Sequence, residues 1–332
     1  MEDWLESKRP PTVRQSTWIS YEGMVRIHLA SLALVPLAKL TPNDVRRVVR
    51  ERLDADCSER TAAYTITVLR MALQQAVRDG LVPRNVAALV ERPRVPRSEL
   101  SIWQPPEIRA FLSATSGSAL GPLWAVLVTT GMRLGEALGL RWMDVDFVGG
   151  TVTVAGSLRP VPRRFRDHGP AGTVAPRLVR VEPKTNAAWR TFSPSDVALS
   201  ALERHRDRTE TMPRSVLGLV FTSPRGTPLD PRNVSRTFER DVATSGVRRI
   251  RIHDLRHTAA SMMIATGFTL DDVKRVLGHS SIAMTSDIYG HLVEGRSREL
   301  ADGIDRLLAM EQDDPIAAVS AAVGPRRATH RA

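Results

Sequence analysis

Apolar residues recur every three or four positions through much of the first 91 residues, the period of helices that each bury one face. In 41-TPNDVRRVVRERL-53, Val45, Val48, Val49 and Leu53 keep that spacing. Thr41 stands where a helix cap is expected, with Pro42 in the first turn and Asp44 three residues after the cap. The segment 59-ERTAAYTITVLRMALQQAVRDG-80 repeats the pattern through Ile66, Leu69, Leu73 and Val77, and Gly80 ends it. Tyr64 reads as a packing residue on this helix. A third helix is predicted over 14–30, carrying Trp18, Tyr21, Val25 and Leu29. Residues 1–91 therefore read as a small all-α domain with exposed arginines.

The pattern breaks in 91-ERPRVPRSEL-100, where Pro93 and Pro96 forbid a continuous helix. Residues 92–100 read as an extended basic linker. It suits phosphate tracking, and equally a solvated tether between domains. A second domain is expected over 101–311. It opens with a helix at 105–115 and a strongly apolar one at 122–134. The period then changes to two. The segment 151-TVTVAG-156 alternates as a strand does, and 178–182 and 190–194 flank a turn at Pro183-Lys184-Thr185-Asn186, which predicts a hairpin. Residues 157–176 are rich in Pro, Gly and Arg and read as a long loop. Helices dominate from there to about residue 311. The tail, 312–332, has few large apolar residues and is expected to be mobile or to order only on a partner.

Charge narrows the possible partners. The 332-residue chain carries a formal +11, which favours a polyanion, nucleic acid or an anionic membrane surface. The membrane reading is weak, because no apolar run reaches the roughly 18 residues a span requires and Met1 is followed at once by Glu2 and Asp3. The single cysteine, Cys57, excludes an internal disulfide and a cysteine-based zinc site. A protein of the reducing cytoplasm that binds nucleic acid is the class that remains, with Arg14, Arg60, Arg70, Arg92, Arg94 and Arg97 as candidate DNA contacts.

Only three tyrosines occur in the chain, and one of them, Tyr289, lies in the polar stretch 276-VLGHSSIAMTSDIYGHL-292. A tyrosine hydroxyl can attack phosphorus and form a covalent phosphoester. His253 and Arg256 are three residues apart, so a helix places them on one face. Arg supplies a fixed fork of donors for phosphate oxygens and His a titratable neighbour, although a surface His–Arg pair needs no ligand. Arg133 follows a glycine after an apolar helix. It reads as an arginine wedged between buried segments, with Glu136 placed to hold its guanidinium. Lys184 sits at the predicted hairpin tip, where it could donate a proton. His279 lies in a Leu-Gly-His-Ser-Ser turn. Two arginines can grip the non-bridging oxygens of one phosphodiester and stabilise charge building on phosphorus. No acidic cluster suited to Mg²⁺ is present in the sequence, and a phosphotyrosine stores the bond energy without ATP, so neither metal nor cofactor is expected.

In order along the chain, Thr130-Gly131-Met132-Arg133-Leu134-Gly135-Glu136, Pro183-Lys184-Thr185, His253-Asp254-Leu255-Arg256-His257, Leu277-Gly278-His279-Ser280-Ser281 and Ser286-Asp287-Ile288-Tyr289-Gly290-His291 resemble the motifs of the tyrosine recombinases, the phage integrase family. Trp4-Leu5, Thr17-Trp18, Tyr21 and Leu40-Thr41-Pro42 resemble that family's core-binding domain. The resemblance implies a two-domain C-shaped clamp around DNA. An α-helical core-binding domain would face a catalytic domain that is mostly α with a small antiparallel β-sheet. It implies that Tyr289 attacks the scissile phosphate to give a 3′-phosphotyrosine and a free 5′-hydroxyl. Arg133 and Arg256 would hold the phosphate oxygens, Lys184 would protonate the leaving oxygen, His253 would assist proton transfer at the tyrosine, and His279 would hydrogen-bond the phosphate.

The same resemblance implies double-stranded DNA with inverted-repeat core sites as partner. A homotetramer would exchange strands through a Holliday junction. The helix predicted at 297–310, with Leu300, Ile304, Leu307 and Leu308 on one face, would pass between protomers or pack on its own domain. Because Trp4-Leu5 already fits the core-binding region, no room remains for an arm-binding domain, so either the protein has none or the sequence begins at an internal start. A directionality factor is a possible further partner. A phage or mobile-element integrase in a bacterial host's cytosol or nucleoid is the expected role. A cellular chromosome-dimer resolvase and a catalytically inactive architectural protein of the same fold are the alternatives.

Overall fold

The computed structural model describes residues 1–96, 100–161, 177–182 and 189–278, together with Ser281, Thr285, Ser286 and Tyr289. The chain divides into two compact units, Met1–Glu99 and Leu100–Ala332.

The first unit is built from α1 (Glu2–Ser7), α2 (Gln15–Gly23), α3 (Pro42–Asp54) and α4 (Glu59–Arg78), with short π and 3-10 turns between them. The helix expected across 14–30 is shorter than its pattern. It stops at Gly23, and Met24–His28 continue as a π-turn. Gly is a poor helix residue, and the wider turn re-aims the chain so that Leu29 enters the core. Thr41 starts α3 by a reciprocal cap. Its Oγ1 accepts the Asp44 N–H at 3.3 Å, and its own N–H donates to Asp44 Oδ2 at 3.0 Å. Such a cap stabilises a helix by about 1 kcal/mol. Val45 and Val48 then face Leu69 and Leu73 of α4. A second cluster joins Trp4 to Val68 and Ala72, with Tyr21 and Tyr64 against it.

In the second unit, α5 (Pro105–Thr115) and α6 (Gly121–Thr130) precede a short α7 (Leu134–Leu138). Every residue of α6 from Gly121 to Val128 is buried, which is why its sequence is apolar all round. Trp103, Phe111 and Phe238 surround it, and Trp124 places its indole 5.3 Å from Phe238 while its N–H donates to Asp241 at 2.9 Å. Helices α8 (Asp196–Thr209), α9 (Pro231–Ser245), α10 (Asp254–Ala265) and α11 (Leu270–Leu277) complete the described helices.

The strands depart from the expected hairpin. β1 (Val145–Asp146), β2 (Thr151–Val154) and β5 (Arg190–Phe192) form one antiparallel sheet in the order β1-β2-β5, while β3 (Ser157–Pro160) pairs with β4 (Leu178–Val181) in another. The two segments flanking Lys184 therefore lie in different ladders. The first residues of the predicted 157–176 loop are a strand. Gly156 explains the break between sheets. A Cβ there would stand 2.5 Å from the Arg180 guanidinium, whose Nε donates to the Gly139 carbonyl at 2.9 Å. The chain turns at Gly156 so that this arginine can cross beneath it. Among the described residues, no helix is long and apolar enough to cross a membrane.

Candidate active site

Helix α6 ends at Gly131, whose φ of 65° is in the left-handed region that glycine alone adopts cheaply. A side chain would also collide there: a Cβ would lie 2.5 Å from Leu277 Cδ2 and 3.2 Å from Ala259 Cβ. The tight stop brings the ends of α6 and α11 together against α10. Gly278, with φ 69°, ends α11 in the same way.

Arg256 lies in the first turn of α10 and is 3% exposed. Its Nη1 donates to the Gly131 carbonyl at 2.7 Å and its Nη2 to the Leu277 carbonyl at 2.8 Å. Both acceptors close helices, where the macrodipole concentrates negative partial charge. The guanidinium is thus fixed without a carboxylate of its own. Burial, then the neighbouring Arg133 cation, bring it down to about 9, which leaves it charged at neutral pH.

Arg133 is the N-cap of α7. Its Nη1 donates to Glu136 Oε1 at 2.8 Å, its backbone N–H donates to Glu136 Oε2 at 3.0 Å, and its Nη2 reaches the Gly278 carbonyl at 3.5 Å. Its side chain is 42% exposed. The sequence suggested an arginine wedged in the core at this position. Arg256 is the buried one, and Arg133, at a helix entrance, keeps an open side. Glu136 is buried and also accepts from Arg190 Nη2 at 2.7 Å. Burial alone would raise its carboxyl, but Arg190 and Arg133 more than offset that and hold it below the usual carboxylate range. Two guanidinium groups bond this carboxylate, and Arg256 lies close enough to feel its charge, a surplus of positive charge suited to an anion.

The tyrosine ring is buried at 1% exposure against Ala260, Ile264, Val273 and Leu277. Its hydroxyl lies 2.7 Å from His257 Nδ1. Burial raises the phenol to about 12, with Arg256 pulling the other way. His257 packs edge-on against His253, ring centres 5.4 Å apart. Burial lowers His257 first, then His253 beside it. His253, still exposed on its outer edge, is lowered by its covered side and then by Arg256. Both imidazoles are therefore neutral near pH 7, and a neutral imidazole can take a proton.

Arg133, His253, Arg256 and Tyr289 come together in this cluster. Lys184 and His279 lie outside the described residues, as do Arg97, the 297–310 segment and the tail. Arg14, Arg60, Arg92 and Arg94 are exposed in the first unit. Arg70 is different. It is half-buried and donates to the carbonyls of Ala87, at 2.9 Å, and Val90, so it braces its own unit. Sequence reasoning missed two members of the cluster. His257 is four residues after His253, hence on the same helical face. Arg190 shares a pleat face with Phe192 and sits opposite the buried Val154. An arginine on the inward face of a strand was the available signal.

Residues 119–296, more than half of the chain, match the model of the phage integrase family. Among similar curated proteins are the ICEBs1 integrase of Bacillus subtilis, 27% identical over 82% of this chain and 72% of its own length, and a XerC-like tyrosine recombinase of Caldanaerobacter subterraneus, 25% identical over 92% and 82%. Among solved structures, the Tn1549 transposon integrase in complex with transposon right end DNA superposes with a TM-score of 0.76 at 19% identity, covering 90% of this chain and 98% of that one. A lambda integrase tetramer bound to a Holliday junction gives 0.63 at 18%, covering 86% and 75%. At those identities the structures speak for the fold, and the family match speaks for kinship. The chain belongs to the phage integrase family and is a tyrosine recombinase.

Proposed function

We propose that this tyrosine recombinase cuts and rejoins duplex DNA with Tyr289 as nucleophile, Arg133 and Arg256 as the clamp on the scissile phosphate, and His257 as the group that takes the phenolic proton. The observation that carries the reading is the bond between Tyr289 and His257 beside a buried, still-charged Arg256. A phenol near 12 is a poor nucleophile at neutral pH. It needs a base in contact, and His257 is in contact while lowered enough to be neutral. The family resemblance implies that His253 assists this proton transfer. In the geometry described, His253 supports the ring of His257 and borders Arg256.

The step is a transesterification. The phenolic oxygen bonds to phosphorus, the bond to the 5′ oxygen breaks, and a 3′-phosphotyrosine with a free 5′-hydroxyl results. The arginines stabilise the charge that builds on the non-bridging oxygens. Lys184 is the proposed donor to the leaving oxygen and His279 a proposed phosphate contact, both on the strength of their motifs. The integrase relatives, including a prophage integrase of Mycobacterium tuberculosis at 26% identity, favour integration of a mobile element. The XerC-like relative keeps a chromosome resolvase as the second reading. The proposed assembly is a homotetramer on inverted-repeat core sites, in line with the lambda integrase tetramer, with the 297–310 segment, helical by its sequence pattern, passing between protomers. A directionality factor is a further proposed partner.

The test is a duplex carrying the inverted repeats beside the coding gene, nicked so that the cleaved fragment diffuses away. Wild-type protein should accumulate a detergent-stable covalent adduct and Tyr289→Phe none. A wild type that binds this duplex and forms no adduct removes the proposal.

A further inference from the structure

We infer that Arg190 is a positioning residue for the paired arginines, acting through Glu136 on Arg133 and through the end of α11 on Arg256. The inference rests on the reading of Arg133 and Arg256 as the phosphate clamp.

Arg190 is on β5, opposite Val154, with its side chain turned into the unit and 7% exposed. Its Nη2 donates to Glu136 Oε2 at 2.7 Å, and its Nε donates to the Val276 carbonyl at 2.6 Å. Those two bonds reach two different supports. Glu136 is the carboxylate that receives Arg133 through both its side chain and its backbone. Val276 adjoins Leu277, whose carbonyl receives Arg256. One planar fork thus ties together the two structures on which the clamp stands. A fork holds its donors in fixed directions, whereas an ammonium's three donors rotate and set neither support in place.

Charge makes the tie directional. Glu136 and Arg190 are each under a tenth exposed, whereas Arg133 is open. The buried partner, not the open one, is therefore the main compensation for a carboxylate taken out of water. Remove Arg190, and Glu136 either moves toward Arg133, dragging it inward, or takes up a proton and loosens it. In both cases the clamp shifts relative to the phosphate. Displacements of about 1 Å in a positioned group can cost roughly a hundredfold in rate. DNA affinity, which rests on many phosphate contacts, should hardly change.

A purely architectural arginine would also weaken the protein when removed, so the decisive readout is coupling. Full-length wild type, Arg190→Met, Glu136→Gln and the double variant are compared by single-turnover adduct formation on the nicked duplex at saturating protein, with DNA affinity measured separately. Arg190→Met should slow adduct formation about 10- to 100-fold with affinity within about threefold. The double variant should fall about tenfold or more short of the product of the two single losses, because both changes cut the path through Glu136. If the two rate losses multiply, or if Arg190→Met is as fast as wild type, the inference is wrong. Should the methionine variant not fold, the same cycle is run with Arg190→Lys, which keeps the charge and loses the fork. It should show the same lack of additivity at smaller amplitude, and multiplication there overturns the inference equally. A wild type without adduct would remove the recombination proposal and this inference together. An active wild type with a multiplicative cycle removes this inference alone.

Discussion

Arg70 in the first unit and Arg256 in the second make the same bonds: each guanidinium donates to two backbone carbonyls of its own unit. Their surroundings differ. Arg70 is half-buried, lowered by burial and then by Arg92, and closes the turn at Val86–Leu89 onto α4. Arg256 is almost fully buried, faces Arg133, Arg190 and Glu136, and touches a tyrosine site. Carbonyls satisfy donors but do not neutralise charge. One arginine with two carbonyls is a brace. Two arginines on one carboxylate beside a third held only by carbonyls are a brace with charge left over, and that surplus is what suits the second cluster to an anion. Their hydrogen bonds alone do not separate the two.

The largest effect expected is at the proposed nucleophile. Tyr289→Phe removes one oxygen and keeps the ring that packs on Ala260 and Leu277. It should leave folding and DNA binding in place and abolish the covalent adduct, read by gel under denaturing conditions. An adduct from this variant would point to another nucleophile and collapse the contrast between the units. Next in size is Arg256→Ala, which should slow cleavage by about 10²–10³-fold or more, by analogy with the loss of a fixed oxyanion donor. Undiminished cleavage by a folded Arg256→Ala protein would make Arg256 merely another Arg70.

Sequence and structure agree where local rules decide. The start of α3 was legible because Thr41, Pro42 and Asp44 form a cap from neighbouring residues alone. The clustering of Arg133, His253, Arg256 and Tyr289 was legible only through motif order, since no local property joins residues so far apart. The pairing of β4 was not legible. It depends on whether the chain can bend at Gly156 around a side chain from residue 180, and alternation says nothing of that. The same limit hid Arg190. In 190-RTFSP-194 alternation puts Arg190 on the face of Phe192, but only the register, which sets it opposite Val154, fixes what that face meets. His257 lies in the same motif, four residues after His253, and spacing alone does not say which of the two meets the tyrosine.

The choice between those histidines is sharpened by pH. His257 is lowered by burial and then by His253, so at neutral pH it is uncharged and able to accept the tyrosine proton. As pH falls it gains a proton and loses that ability. Cleavage should therefore be flat around neutrality and fall on the acid side by about tenfold per pH unit, with a midpoint below the ordinary imidazole value of about 6.5. His257→Ala should slow cleavage and remove this acid limb. A limb that persists in His257→Ala and vanishes in His253→Ala would return the role to His253.

The smallest effect tests the brace itself. Arg70→Met leaves the Ala87 and Val90 carbonyls without their donor, and Asn85, which donates to the Arg70 carbonyl at 2.9 Å, keeps its bond because that acceptor is backbone. The loss should be about 1–3 kcal/mol of stability in the first unit, read as earlier thermal unfolding of its helices. The salt dependence of DNA affinity should stay as it was, because the guanidinium points at its own turn. Arg60→Ala, at an exposed position in the first turn of α4, should do the reverse. Its stability should stay within about 0.5 kcal/mol, while the slope of log affinity against log salt falls by about one if Arg60 meets a phosphate. A drop in salt slope for Arg70→Met at unchanged stability would mean that its carbonyl bonds give way to DNA, and that the difference drawn between Arg70 and Arg256 holds only in the free protein.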